Sequence, residues 1–382
     1  MKKILAIFLT VILLTSCGEK KSETGGEPIT EPKIEKVSFL GCGDNITYQG
    51  NIKDALSEAL PGGRKYNFKP VFENVMPFVK AADIAFINQE TVMCGEGYEL
   101  GFYPRFNSPQ DLGHDLVELG FDVIGIANNH MLDMGADGLE QTIKFWKNQD
   151  ALMIGGYENE EDYNTIRVLE KNGIKIAFLS YTYGTNGLSK AASSSVAIPY
   201  IKDEVIKKHI ESAKSVSDFI MVSIHWGNED WFNYTDEQQR IAQLIADAGA
   251  DAIIGHHPHV IQPIEWLTGV NGNKTLCVYS LGNFAAEQAY QYNMVGGMIK
   301  FDIVQVDDGD ACLENVVFEP TVFHYNANLM SNTVYPMSQY TPELAARHGV
   351  RTFFGNSLNL DTLHQYVYDT ISPEFLPEEF KE

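Results

Sequence analysis

The sequence predicts an α/β fold built from two mixed β-sheets with helices around them. Apolar runs with the length and β-branched content of strands alternate with segments of helical periodicity, which is typical of layered α/β proteins. Asn172-Gly173 lies between two alternating runs and predicts a hairpin, so the sheet that contains it is mixed. After Val270 the chain reads as antiparallel strands, GGMIKFDIVQV and ACLENVVFEPTVF, which we expect to complete the second sheet.

The beginning of the chain has a pattern typical of export. Residues 1–16, MKKILAIFLTVILLTS, combine two lysines with a short apolar core and predict a secretory signal peptide. The sequence LTSCG around Cys17 resembles a bacterial lipobox, which implies cleavage before Cys17 and lipidation of its thiol; the alternative is a cleaved signal with an incidental cysteine. Residues 17–35 are polar and rich in Gly, Glu, Lys and Pro, so we expect a lipidated N-terminus and a flexible tether. These expectations place the protein at the cell membrane, lipid-anchored on the extracytoplasmic face.

Five predicted strands end at residues of metal-ligand type. The first two runs, KVSFLGCGD and DIAFINQE, end at carboxylates, FDVIGIANNH ends at an amide and an imidazole, and DFIMVSIHW and AIIGHHPHV deliver histidines. Because loops after strands converge at one rim of an α/β sheet, we expect these side chains to form a single site. The candidate metal ligands are Asp44, Glu90, Asn129, His225, His257 and His259.

Two helices are expected to lead into strands that carry these ligands. The first opens at Ser108, with Pro109 in its first turn, and ends at Gly120; the second runs from about Asp236 to Gly249. Residues 36–325 are expected to form one domain. Residues 326–382 are expected to form a C-terminal extension that packs on the domain and covers a sheet edge or its rear, with a short helix near 341–348.

The ligand set indicates which metals the site would prefer. Carboxylate, amide and imidazole together suit borderline divalent ions such as manganese, iron or zinc, whereas magnesium or calcium prefers oxygen alone. Six candidate ligands exceed the needs of one tetrahedral ion, so we expect two divalent metal ions about 3.5–4 Å apart, with Glu90 as the bridge. His130 is the candidate proton donor to the leaving group.

Each of these residues also has a purely structural interpretation when it is considered alone. Asp44 and Asn129 are residue types that cap turns, and His225 is of a type often found hydrogen-bonded in a core. His256 is expected to be a core residue or to support a ligand. The convergence of five strand ends argues for the site, because separate structural roles do not explain that arrangement.

The formal net charge of −23 narrows the classes of partner. Such acidity argues against nucleic acid, which requires a basic surface. The acidity does not exclude an anionic substrate, because bound divalent cations invert the local electrostatic field. The charge itself is explained by solubility at an exposed location.

Six motifs in order carry a resemblance to a known family: GCGD, NQET, ANNHMLDMG, SIHWGNE, GHHPHVIQPIEW and YSLGNF. The chain from Val37 to Phe284 resembles the CapA family of poly-γ-glutamate capsule-synthesis proteins, a branch of the calcineurin-like metallophosphoesterases. The resemblance implies a four-layer αββα sandwich of two mixed sheets with two metals at the strand ends. It also implies that the six candidate ligands occupy metal positions and that His130 matches the catalytic histidine of an Asn-His motif.

Three positions depart from the usual metallophosphoesterase pattern. Ile46 stands where most members have a histidine and Glu90 where they have an aspartate, and CapA-like proteins generally share both changes. Gln49 replaces an arginine that often follows the first motif. Arg105 is the candidate substitute for binding a carboxylate or phosphate, and its alternative role is a salt bridge.

The main functional hypothesis is a lipid-anchored two-metal hydrolase or phosphoesterase of the CapA type. The resemblance links it to synthesis or release of an anionic poly-γ-glutamate-like polymer, or to a phosphoester substrate. The alternative is a non-catalytic factor that uses the same site to bind polymer for a membrane-bound synthase. A ligand-capturing lipoprotein of a transporter would leave the histidines unexplained.

Overall fold

The computed structural model describes residues 32–57, 60–307, 309–353 and 356–381. The predicted signal peptide, Cys17 and most of the predicted tether therefore lie outside the described residues. The first strand begins at Ile34, two residues before the predicted start of the domain. None of the helices in the described part of the chain is both long and apolar enough to span a bilayer.

The described residues form strands and helices that alternate through the first two thirds of the chain. The strands are β1 (Ile34–Asn45), β2 (Ile84–Gln89), β3 (Val123–Gly125), β4 (Leu152–Ile154), β5 (Arg167–Lys171), β6 (Ile174–Thr182), β7 (Phe219–His225), β8 (Ala252–His256), β9 (Ile264–Thr268), β10 (Lys274–Val278), β11 (Asn283–Ala285), β12 (Val295–Val306), β13 (Cys312–His324) and β14 (Thr333–Pro336). The helices are α1 (Gln49–Ala55), α2 (Met76–Ala81), α3 (Gln110–Leu119), α4 (Gly135–Lys147), α5 (Glu160–Tyr163), α6 (Asp203–Lys214), α7 (Asp236–Ala248), α8 (Pro342–Arg347) and α9 (Leu360–Thr370).

Both sheets are mixed, as predicted. The first has the order β14-β13-β12-β1-β2-β3-β4, with β11 beside the end of β1. In it β1 to β4 run parallel to one another, while β12 is antiparallel to β1. The second has the order β5-β6-β7-β8-β10-β9, in which β6, β7, β8 and β10 are parallel and the two edge strands are antiparallel.

The strands after Val270 divide between the two sheets, which differs from the expectation that they complete the second sheet. β10 joins β8 in the second sheet, but β12 pairs with β1 in the first, from Ile34 opposite Val306 to Cys42 opposite Met298. β13 and β14 extend the first sheet beyond β12. This pairing places β12 beside β1, the strand that carries Asp44 near its C-terminal end.

The two sheets pack face to face with helices on their outer faces. Phe39 of β1 stacks on Phe301 of β12 at 4.8 Å between ring centroids, and Phe219 of β7 lies 6.5 Å from Phe301 across the sheets. The outer face of the second sheet packs against α6 and α7 in a separate apolar cluster, and α3 and α4 contribute buried side chains to the main core. The layers are therefore αββα.

Local sequence signals explain the predicted hairpin and the helix ends. Asn172 and Gly173 have φ values of 49° and 92° and connect β5 to β6, which confirms the hairpin. The helices α3 and α7 end at Gly120 and Gly249, both in the left-handed conformation, as predicted. The start of α3 differs slightly: it begins at Gln110, since the Ser108 hydroxyl is hydrogen-bonded to Thr91 at 2.6 Å instead of capping the helix.

Candidate metal centre

The ends of parallel strands from both sheets meet at one place. Asp44 lies at the end of β1, and Glu90 follows β2 directly. His225 is the last residue of β7, and the other predicted histidines follow β8. Asp44, Glu90, Asn129, His225, His257 and His259 are all buried, with exposed fractions of 4% or less. The structure therefore brings together the six residues that the sequence singled out as ligands.

Glu90 lies at the centre of this group. One ligand atom each from Asp44, Glu90 and His225 lie within 4.8 Å of one another, and so do ligand atoms of Glu90, His257 and His259. Glu90 Oε1 is 3.5 Å from His225 Nε2 and 3.8 Å from His259 Nε2. Only Glu90 belongs to both groups of three, which is the position that a bridging carboxylate requires.

Asp44 is held by contacts with four residues. Its Oδ1 accepts a hydrogen bond from Asn88 Nδ2 at 2.8 Å and lies 3.1 Å from His256 Nδ1. Its Oδ2 accepts the backbone N–H of His257 at 3.1 Å and lies 3.3 Å from His259 Nδ1. The contact to His256 agrees with the expectation that this histidine supports a ligand.

The backbone around the site has little freedom. His257 and His259 have φ values of 99° and 57°, a left-handed region that costs a residue with a side chain about 1–3 kcal/mol. Gly43 precedes Asp44, and a Cβ at this position would lie 2.1 Å from the carbonyl oxygen of Gly282. The close approach of β1 to the strand-exit loop near Gly282 therefore requires glycine at position 43.

Burial and neighbouring charges shift the pKa values of the residues at the site in different directions. Burial and then the charge of Asp44 raise the pKa of Glu90 to about 8. Burial opposes ionisation of Asp44, but hydrogen bonds to His256 and His259 hold its pKa well below the usual range. Burial keeps the pKa of His225 and of His257 well below that of a free imidazole, so both rings are neutral. Burial lowers the pKa of His259, but the nearby Glu90 and Asp44 outweigh this and raise it to about 9. The two acidic groups of the site therefore favour a positive charge beside them.

The donor set fits divalent metal ions. Glu90 Oε1, His225 Nδ1 and His257 Nδ1 are buried and have no hydrogen-bond partner among the described residues. A buried polar atom without a partner costs free energy of about 1–3 kcal/mol, and coordination of a cation would remove that cost. The mixture of nitrogen and oxygen donors is of the kind that divalent metal ions bind, and the preference for manganese, iron or zinc stays a prediction.

His130 lies beside the ligands and is oriented by its own loop. Its Nδ1 is 2.8 Å from Asp133 Oδ2, and its ring packs edge-on against Phe106 at 4.8 Å between centroids. Asp133 Oδ2 also accepts the backbone N–H of Phe106 at 2.7 Å. Asp133 was not among the predicted site residues, although its position three residues after His130 could have indicated a partner. The pair leaves Nε2 as the ring nitrogen able to exchange a proton with a substrate.

Two other residues at the site come from a loop that carries no recognised motif. Asn186 accepts a hydrogen bond from Asn129 Nδ2 at 3.2 Å through its Oδ1. The ring of Tyr183 lies 4.5 Å from that of His257 and is nearly parallel to that of His225 at 6.3 Å. Both follow β6, a strand whose end offered no metal ligand to sequence analysis.

Arg105 lies outside the buried cluster. Its side chain is exposed, and its backbone N–H donates to the carbonyl oxygen of Phe102 at 2.9 Å. It directly precedes Phe106, whose ring contacts His130. Arg105 is therefore close to the site in sequence, but its side chain is not part of the candidate ligand group.

Comparisons with known proteins match the residues that build this site. A family model described as bacterial capsule synthesis protein PGA_cap matches residues 38–288. The chain is 28% identical over 316 residues to the capsule biosynthesis protein CapA of Bacillus anthracis, covering 81% of this chain and 73% of that protein. It is 32% identical over 207 residues to the PGA biosynthesis protein CapA of Bacillus subtilis, covering 51% of this chain and 53% of that protein.

Among solved structures, the chain is similar to the calcineurin-like phosphoesterase YfkN of Bacillus subtilis, with 13% identity, coverage of 87% of this chain and 98% of that chain, and a TM-score of 0.43. The NAD nucleotidase NadN of Haemophilus influenzae gives 12% identity, coverage of 91% and 58%, and a TM-score of 0.46. The family model begins within β1 and ends after β11, so it includes the candidate ligands and His130. Because this match spans more than half of the chain, and the CapA relatives agree with it, the chain belongs to the PGA_cap family of bacterial capsule synthesis proteins.

Proposed function

We propose that this protein is a metal-dependent hydrolase of the phosphoesterase type that acts at the extracytoplasmic face of the membrane in capsule polymer synthesis or release. Its substrate is an anionic polymer of the poly-γ-glutamate type or a phosphoester. The names of the CapA relatives, which concern capsule and PGA biosynthesis, support a role in this pathway. The chain spans 73% and 53% of the length of those relatives.

The observation that carries the proposal is the buried carboxylate of Glu90, shared by two groups of three ligand residues. Asp44, Asn129, His225, His257 and His259 complete the set that would hold two divalent ions, with manganese, iron or zinc as candidates. When bound, such ions supply Lewis-acid polarisation of an ester or amide oxygen and activation of water. The chain would contribute His130 as the proton donor, with Asp133 fixing its ring through Nδ1.

The substrate class is tested by turnover with two kinds of probe. The full chain, purified in detergent and freed of metal, would be supplied with Mn²⁺, Fe²⁺ or Zn²⁺ and assayed on nitrophenyl phosphoesters and on a γ-glutamyl polymer. We expect hydrolysis of at least one class, and only after metal is added. Metal binding without turnover of either class, together with polymer binding that persists after metal removal, would contradict the hydrolase and favour the assembly factor for a membrane-bound synthase.

We also propose that Cys17 is lipidated and anchors the protein to the membrane, for which the LTSCG sequence after an apolar leader is the support. A Cys17→Ser variant is expected to move from the membrane fraction to the soluble extracytoplasmic fraction, because position 17 then has no thiol to carry lipid. Fractionation followed by immunoblotting measures this, with Cys312→Ser as the matched control, since Cys312 is an exposed cysteine far along the chain. Retention of the Cys17→Ser variant in the membrane fraction would disprove the anchor.

A further inference from the structure

The loop after β6 reaches the candidate metal centre, although it carries none of the predicted ligands. It turns at Asn186 and Gly187, whose φ values are 50° and 72°. Thr185 closes the turn by donating its hydroxyl to the carbonyl oxygen of Leu188 at 2.7 Å, and it also lies 3.0 Å from the hydroxyl of Tyr200. The backbone turn that carries Asn186 is thus fixed by contacts outside the metal centre.

Asn186 contacts one end of the Asn129 amide. Asn129 Nδ2 donates to Asn186 Oδ1 at 3.2 Å, while Asn129 Oδ1 lies on the other side, 2.9 Å from His225 Nε2. A carboxamide binds a metal only through its oxygen, and rotation of the group by half a turn would present the nitrogen instead. An acceptor placed at the nitrogen end therefore selects the rotamer that directs oxygen to the site.

The amide nitrogen of Asn186 makes only a long contact with His130. Asn186 Nδ2 lies 3.5 Å from His130 Nδ1, but that ring nitrogen is already 2.8 Å from Asp133 Oδ2. Since Nδ1 can serve only one of these partners well, the short contact to Asp133 takes precedence. The hydrogen bond to Asn129 is then the contact through which Asn186 acts on the centre.

Resting on the metal centre proposed above, we propose that Asn186 is a positioning residue that orients Asn129 for metal binding. Tyr183 of the same loop packs on the imidazole of His257, so the loop contacts two candidate ligands at once. Residues that support metal ligands typically contribute 10–100-fold to metal affinity. Asn186 is exposed, so its replacement changes the centre without opening a cavity in the core.

The test is calorimetric titration of the metal-free full chain with Mn²⁺ for the wild type and three variants. Asn186→Ala, which removes the acceptor, is expected to bind Mn²⁺ roughly 10–100-fold more weakly. Asn186→Asp keeps an oxygen acceptor at the same distance and is expected to restore binding to at least wild-type strength. Ser189→Ala alters an exposed residue of the same loop and is expected to bind as the wild type does.

The results separate this inference from the proposed function. Wild-type affinity in Asn186→Ala would overturn the inference, and so would binding by Asn186→Asp as weak as that of Asn186→Ala. If the wild type itself binds no Mn²⁺, Fe²⁺ or Zn²⁺, the metal centre fails and the positioning role fails with it. Thermal unfolding of the metal-free variants, expected to match that of the wild type, shows that any loss of affinity arises at the site.

Discussion

Replacement of Glu90 by Gln is expected to abolish binding of both metal ions. Glu90 is the residue common to the two groups of three candidate ligands, so the loss of its carboxylate is expected to affect both positions at once. Gln has nearly the same size and shape, which keeps the packing of a fully buried side chain. Elemental mass spectrometry of the purified protein should fall from about two ions per chain to well below one.

The metal-free Glu90→Gln protein is expected to be at least as stable as the metal-free wild type. Burial and the neighbouring Asp44 raise the pKa of Glu90 to about 8, so without metal this carboxyl is already mostly protonated near pH 7. A neutral amide replaces a neutral acid and removes no favourable charge. Urea unfolding in the presence of a chelator measures this, and it separates loss of metal from loss of fold.

Two further variants test whether the effect is specific to the carboxylate of Glu90. Glu90→Asp keeps the charge but shortens the side chain, and we expect it to retain part of the bound metal. Glu96→Gln makes the same chemical change at an exposed position in the following loop and should bind metal as the wild type does. Wild-type stoichiometry in Glu90→Gln would show that Glu90 is not a shared ligand.

The sequence predicted which residues would lie together in the candidate ligand group, because its members follow apolar runs. In a buried parallel strand almost every residue is apolar, so a polar residue at the end of the run stands out. Asp44, Glu90 and His225 could be found in this way, and parallel pairing of their strands brings such ends together. The two ends of α3 were predicted with different success. Gly120 correctly marked the C-terminal end, whereas Ser108 does not cap the N-terminal end.

What the sequence did not predict depends on contacts between loops. Asn186 and Tyr183 lie in a polar loop after β6 and reach the centre only because that loop folds across it. Likewise, an apolar alternating pattern indicates that β12 is a strand but carries no information on which sheet it joins. Its partner β1 is more than 250 residues earlier, at Ile34 to Cys42, and only the assembled core decides that pairing.

Removal of the His130 imidazole is expected to leave metal binding intact and to lower turnover about 10²–10⁴-fold. His130 belongs to neither group of three ligands, and its Nδ1 is held by Asp133 at 2.8 Å. A His130→Ala variant should therefore show the wild-type metal stoichiometry and a reduced kcat. His114→Ala is the control, since His114 of α3 packs on Phe145 of α4 and belongs to neither group of three candidate ligands.

The dependence on the leaving group distinguishes proton donation from a structural role for His130. A nitrophenolate leaves without needing a proton, whereas an alkoxide needs one, so loss of a general acid costs more for the alkyl ester. We expect the ratio of wild-type to His130→Ala kcat to be clearly larger for an alkyl phosphoester than for its nitrophenyl counterpart. Equal losses on both esters would show that His130 orients the substrate without donating a proton, and unchanged turnover would remove it from the mechanism.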